Sequence, residues 1–234
     1  MKKYILFLLL SLIIAFYANA QLSVSYSVGY GNFKMNDMKE LLGDMANEIK
    51  NQLQGLPIAI VDNFPGYITH SLDLSYRVKR HEIGFRGNYL STGGKIAYSD
   101  YTGEYSGKIL LNGNSLGINY RYYFPITDFE KNGSLYLFTE MSSGVSFSKL
   151  KSKEYIKVFG QRQDADENLD LKGNGVYLHP QLGAKWFITK QIGIQVSGGY
   201  FFQLGSNLKY KGEDTKIKSD WSGIRLNGGV SYSF

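Results

Sequence analysis

From Gln21 onward the chain alternates. Leu22, Val24, Tyr26, Val28 and Tyr30 occupy every second place, with Ser23, Ser25, Ser27, Gly29 and Gly31 between them. Successive side chains of a strand point to opposite faces, so this segment needs one apolar environment and one that accepts small polar groups. The pattern returns at 68–78, 83–89, 116–124, 135–147, 176–188, 192–202 and 224–234. Eight strands are predicted, most of them near the roughly ten residues that a tilted membrane strand requires.

Composition narrows the classes. The chain has 27 Gly and 19 Tyr but 4 Pro, a mixture suited to short, twisted, half-exposed strands. The absence of Cys excludes a disulfide-stapled module, a Cys-ligated zinc site and thiol catalysis. With a mean hydropathy of -0.23 and one long apolar run, a bundle of membrane helices is excluded too. That run, Tyr4 to Tyr17, follows Lys2 and Lys3 and precedes Ala18-Asn19-Ala20, the order of a cleaved secretory signal. The expected division is a signal peptide over 1–20 and one domain over 21–234, which is 234 − 20 = 214 residues. Losing the two lysines lowers the formal charge from +6 to +4, too weak and scattered for nucleic acid.

The connections sort by length. A segment of about 35 residues follows the first run, then a tight turn at Lys79-Arg80. Long connections are expected over 91–110, 148–174 and 205–221, and short ones over 125–133 and 189–191. Long and short alternate, as in an up-and-down membrane barrel with loops outside and turns in the periplasm. The fold class expected is therefore all-β, an eight-stranded antiparallel up-and-down transmembrane barrel.

Face assignment tests that expectation. About the Lys79-Arg80 turn, opposed residues sum to 159. Arg77 then meets Glu82 and Asp73 meets Arg86 on one face, while Tyr76 meets Ile83 and Leu74 meets Phe85 on the other. A slip of one residue would exchange the faces. The inward positions collect Asp73, Arg77, Glu82, Arg86, Asn119, Arg121, Glu140, Lys185, Gln195, Arg225 and Asn227. Five basic and three acidic groups among them are expected as structural ion pairs of the interior, because charge buried in a narrow barrel must be paired. Two aromatic belts are expected, Tyr30, Tyr89, Phe147, Tyr200 and Trp221 at the loop side, and Tyr76, Tyr122, Phe124, Trp186, Tyr232 and Phe234 at the turn side.

The ending Leu226-Asn227-Gly228-Gly229-Val230-Ser231-Tyr232-Ser233-Phe234 resembles the C-terminal assembly signal of outer-membrane β-barrels. The matching positions are Gly228, Val230, Tyr232 and Phe234. Residues 21–234 as a whole resemble the small OmpA/OmpX/OmpW-type barrels, and most of all the outer-membrane β-barrel domain proteins that include PorT-like ones. The resemblance implies the outer membrane of a Gram-negative-type bacterium. It implies outer-membrane lipid as surroundings and the barrel-assembly machinery as a partner during biogenesis. A monomer with a structural or surface-binding role is expected. The alternatives are a narrow, porin-like channel or conduit for small or hydrophobic molecules, of the OmpW kind, and a lipid-modifying acyl-transfer enzyme.

Catalytic chemistry finds little support. Acyl transfer needs a Ser within reach of a His and an orienting acid. His70 and Ser71 are neighbours in a strand and face opposite sides, His81 stands at a turn, and His179 is expected inward. Catalytic residues, cofactors and metal are expected to be none. In the first loop Met35, Met38, Leu42, Met45 and Ile49 recur at helical spacing, with Asn36 or Asp37 to cap the start and Pro57 beyond the end. This amphipathic helix has three places open to it: over the barrel mouth, flat on the outer leaflet, or against a surface protein or small apolar ligand. The charged stretches 149–172 and 209–220 are expected as solvated faces.

Overall fold

The computed structural model describes residues 20–52, 57–101, 103–129, 133–164 and 169–234. The expected signal segment lies outside these residues except for Ala20. Eight strands close a ring. They are β1 (Ala20–Gly31), β3 (Tyr67–Val78), β4 (His81–Ser99), β5 (Gly103–Phe129), β6 (Gly133–Val158), β8 (Asp170–Phe187), β9 (Ile192–Leu204) and β12 (Gly223–Ser233). Each pairs antiparallel with its neighbours in that order, and β12 returns to β1 from Ser23 opposite Ser233 to Gly31 opposite Arg225. Closure leaves this ring no free edge. The β3–β4 hairpin has the register that the alternation demands, Arg77 opposite Glu82 and Asp73 opposite Arg86.

Four strands outrun the others. β5 and β6 have 27 and 26 residues against 12 in β1 and 11 in β12. The ladder between β4 and β5 continues to Ser99 opposite Glu104, and that between β5 and β6 to Gly103 opposite Val158. The expected long loops over 91–110 and 148–174 are thus mostly strand. Shorter strands widen this wall: β2 (Ala59–Asn63) on β4, β7 (Gln161–Asp164) on β6, β10 (Asn207–Tyr210) on β8 and β11 (Glu213–Lys218) on β10. The helix α1 (Asn36–Gln52) contacts β2, β4 and β11.

The two faces of the wall exchange chemistry once along their length. In the lower part the inward residues of β4 are Glu82, Arg86 and Asn88, and the outward ones are Ile83, Phe85 and Tyr89. Phe85 is 70% exposed and Arg86 is 6% exposed. Above Tyr89 the inward positions turn apolar, with Leu90 and Ile96 buried. The same change occurs on β5, where inward Ser115, Asn119 and Arg121 give way to Leu111, Ile109 and Tyr105. The period of two never breaks; only the chemistry assigned to each phase reverses. The upper part is an ordinary water-excluding core, and the lower part is its inverse.

Candidate functional site

The site is the lumen, read from the turn end upward. Its floor is aromatic. The Arg77 guanidinium lies over Tyr123 at 4.3 Å and over Tyr136 at 4.7 Å, and the Lys185 ammonium over Phe187 at 4.8 Å. Cations held on ring faces gain from the ring quadrupole, most where water is excluded.

Above the floor stands one network. Arg86 of β4 clasps Asp73 of β3 in a two-pronged contact, Nε to Oδ1 at 2.6 Å and Nη2 to Oδ2 at 2.8 Å. Its Nη1 donates to Glu140 of β6. Arg121 of β5 donates from Nε to Glu140 Oε2 at 2.8 Å and from Nη1 to Glu82 Oε1 at 3.0 Å. Tyr123 donates to the other Glu82 oxygen at 2.9 Å, and Gln181 of β8 to Glu140 Oε1 at 2.7 Å. Each carboxylate therefore faces several charge-assisted donors, the condition under which buried charge is tolerated. The network holds two cations and three anions, and the Lys185 charge acts on Glu82 from below.

Five of the eight expected interior charges thus meet: Asp73, Glu82, Arg86, Arg121 and Glu140. Three do not. Arg77 and Lys185 rest on the aromatic floor, and Arg77 donates to the Lys79 carbonyl at 3.0 Å. Arg225 lies between Phe33 at 4.5 Å and Phe201 at 5.0 Å and donates to the Trp221 carbonyl at 2.7 Å. Among the described residues none of the three has a carboxylate within ion-pairing distance. Arg77 is opposite Glu82 in register, yet its guanidinium turns to the ring faces of Tyr123 and Tyr136. Inward Tyr123, Phe138, Phe187 and Phe201 share the phase of the inward charges, a signal that the outward apolar count passes over.

Over the network a void of about 10 Å³, room for about one water, is lined by Ser27, Ser71, His179 and Asn227 among others. Ser71 donates to Asn88 at 2.7 Å, and the buried His179 ring packs edge-on against Phe201. His70 and His81 face outward, bonded to Tyr26 and Tyr120. No acyl chain fits so small a space.

The upper lumen is sealed. Trp221 is 1% exposed, its indole donating to Ser148 Oγ at 2.9 Å and meeting Phe33 edge-to-face at 5.0 Å. It belongs to this plug and not to the outward belt. Residues 32–35 continue the pairing: Asn32, Lys34 and Met35 amides donate to the carbonyls of Ile224, Ser222 and Asp220. Gly223 permits that approach, since at φ +156° its Cβ position would lie 1.9 Å from the Asn32 carbonyl oxygen. The chain so guided enters α1 above the mouth. Met35, Met38 and Leu42 are fully buried with Phe64, Ile96 and Leu150, and Met45 and Ile49 pack partly buried against them. Asp37 accepts the Lys218 amide at 3.0 Å and ties α1 to β11.

The outer wall carries one irregularity. The β8–β9 ladder skips His179 and Pro180, because Pro180 has no amide to donate. A groove of about 550 Å³ opens outward there, lined by Tyr120, Met141, Pro180, Leu182 and Gly198. The C-terminal residues Val230, Tyr232 and Phe234 also face outward, and Gly228 leaves open space beside them.

No protein-family model matches the chain, and neither does any curated protein sequence. Among solved structures it is similar to the N-terminal β-barrel domain of Pseudomonas aeruginosa OprF, at 12% identity over 92% of this chain and 100% of that one, TM-score 0.39. It is similar to the outer membrane protein OprG of the same organism, at 10% identity over 93% and 96%, TM-score 0.43. Ail of Yersinia pestis, crystallised with the heparin analogue sucrose octasulfate, matches at 14% identity over 92% and 99%, TM-score 0.39. At these values no role passes from those proteins to this one.

Proposed function

We propose that the chain spans an outer membrane as a plugged barrel, its long-connection end outside, and serves there as a structural or surface-binding element. The observation that carries this reading is the single exchange of the two faces. Below it, large apolar side chains such as Leu74, Phe85, Leu116 and Leu182 ring the outside while arginines and carboxylates fill the inside. A continuous apolar belt of this size is unfavourable in water and fits the hydrocarbon of a bilayer. Above the exchange the arrangement suits water on the outside. The aromatic floor, the ion network and the α1 plug close the lumen at three levels, which favours a scaffold over a pore.

The groove beside Pro180 favours one other reading, a lateral route for a small apolar molecule. The network at Glu140 and Gln181 stands directly behind that groove and would have to be displaced. Liposomes containing the refolded protein separate the two: a scaffold leaves small-solute uptake at the rate of empty liposomes, and a conduit raises it. Fractionation of cells tests the location, since recovery in the soluble periplasm would remove the reading.

A further inference from the structure

Lysines stand in direct register on the outward face, above the exchange of chemistry. Lys95 of β4 is opposite Lys108 of β5, which is opposite Lys153 of β6. A second row runs from Lys149 of β6 to Lys172 of β8 to Lys209 of β10. Directly opposed residues have Cβ atoms about 5 Å apart, and like charges so placed oppose the sheet they stand on. Acids only partly answer them. Asp62 is opposite Lys95 and Asp214 is opposite Lys209, at the outer ends of the rows. Asp170 accepts Lys149 at 3.0 Å, and this bond, with Lys172 and Lys151 adding, holds its carboxyl below the usual range. Lys108 and Lys153 are exposed and face each other, and Lys172, exposed too, stands between Lys149 and Lys209.

The boundary below the rows is abrupt. Outward residues of β6 change from Val145 and Phe147 to Lys149, Lys151 and Lys153 with no intervening position. A step of two residues advances about 6.6 Å along a strand. Phe147 ends the apolar belt on β6, so the second row begins at the first polar position outside it, while Lys153 of the first row stands about 13 Å farther along the strand. In an outer membrane the first polar layer holds the phosphate-bearing headgroups of the outer-leaflet glycolipid. An ammonium is a compact point charge suited to single phosphate oxygens, and an anion between two opposed lysines turns repulsion into bridging.

We propose that the row Lys149, Lys172 and Lys209 forms a binding face for the phosphorylated headgroups of outer-leaflet glycolipid. The proposal rests on the membrane reading above and goes beyond it by naming a ligand class and a site. It is tested with the refolded full chain in detergent, titrated with bisphosphorylated lipid A, with the same lipid dephosphorylated, and with inorganic phosphate. The variant is Lys149→Gln with Lys172→Gln and Lys209→Gln, and the control is Lys50→Gln with Lys211→Gln. Expected is saturable binding of lipid A that weakens with salt, a loss of at least about tenfold in the variant, and none in the control. Equal binding by the variant, equal binding of the dephosphorylated lipid, or competition by inorganic phosphate at matching concentration would each overturn it. Heat-modifiable gel mobility is read on every sample. A shift without lipid A binding removes only the lysine site. No shift and no insertion into vesicles by the unsubstituted chain removes the membrane reading, and the site with it.

Discussion

Arg86 and Glu140 meet in front of a strand that belongs to neither. Arg86 is on β4, Glu140 on β6, and β5 lies between them in the sheet. Their contact curves three strands around one point, and Arg121 of β5 closes it by donating to the same carboxylate. Glu140→Gln removes the one carboxylate that both guanidiniums share and leaves two of the three compensating charges. A loss of about 3–5 kcal/mol is expected, the usual effect of breaking a buried pair from one side. It is read as an earlier heat-modifiable transition in detergent, with single-channel conductance unchanged. Raised conductance with unchanged melting would mean that the network gates a path.

The plug answers to a different substitution. Leu42 is fully buried between α1 and the upper wall. Leu42→Ala should cost about 2–5 kcal/mol, but locally, because the network beneath has its own contacts. Protease added to intact cells should cut within α1 of the variant and spare the unsubstituted chain, while heat-modifiable mobility stays the same.

Tyr105 offers a pH-dependent readout in the upper core. Its hydroxyl is buried, and among the described residues it has no hydrogen-bond partner. Burial, with the Glu154 charge second, pushes its pKa above the ordinary tyrosine range. For an acid raised on folding, the folded state keeps its proton longer, so stability is full below the unfolded pKa and falls as pH climbs past it. Protection of amides in the upper wall, measured against their intrinsic exchange rate, should therefore fall above about pH 10. Tyr105→Phe should remove that dependence and cost nothing at pH 7, since it deletes an unpaired hydroxyl.

How far these sites could be read beforehand depends on the face. The β3–β4 register and the helix at 36–52 follow from spacing alone. The upper strands do not follow from the outward apolar count, which stops at Tyr89. Leu90 and Ile96 keep the period of two but in the opposite phase, because the surroundings reverse and the backbone does not. Pairing of charges was legible only in part. Register puts Glu82, Arg121 and Glu140 on one line and Asp73 beside Arg86 four residues away, but it does not say where the long side chains reach across the lumen. Arg77, Lys185 and Arg225 find rings instead, and inward Tyr123, Phe187 and Phe201 were the available sign.

The aromatic floor has its own test. Arg77 is held over Tyr123, Tyr136 and Phe187 at the turn end. Arg77→Ala should cost about 1–2 kcal/mol from lost cation–ring contact and packing, against less than half that for Arg77→Lys. Urea unfolding of the refolded protein measures both, and equal losses would show that the retained positive charge does nothing to hold the floor.

The level at which the faces exchange is the membrane boundary in this reading, and the absence of Cys makes it directly measurable. Single substitutions Leu116→Cys and Val145→Cys lie in the apolar belt, and Lys108→Cys and Lys151→Cys lie above it. Intact cells are treated with a membrane-impermeant maleimide. Labelling is expected at Lys108→Cys and Lys151→Cys and not at Leu116→Cys or Val145→Cys. Equal labelling at all four positions, or labelling confined to the belt, would contradict a barrel that enters lipid where its chemistry reverses.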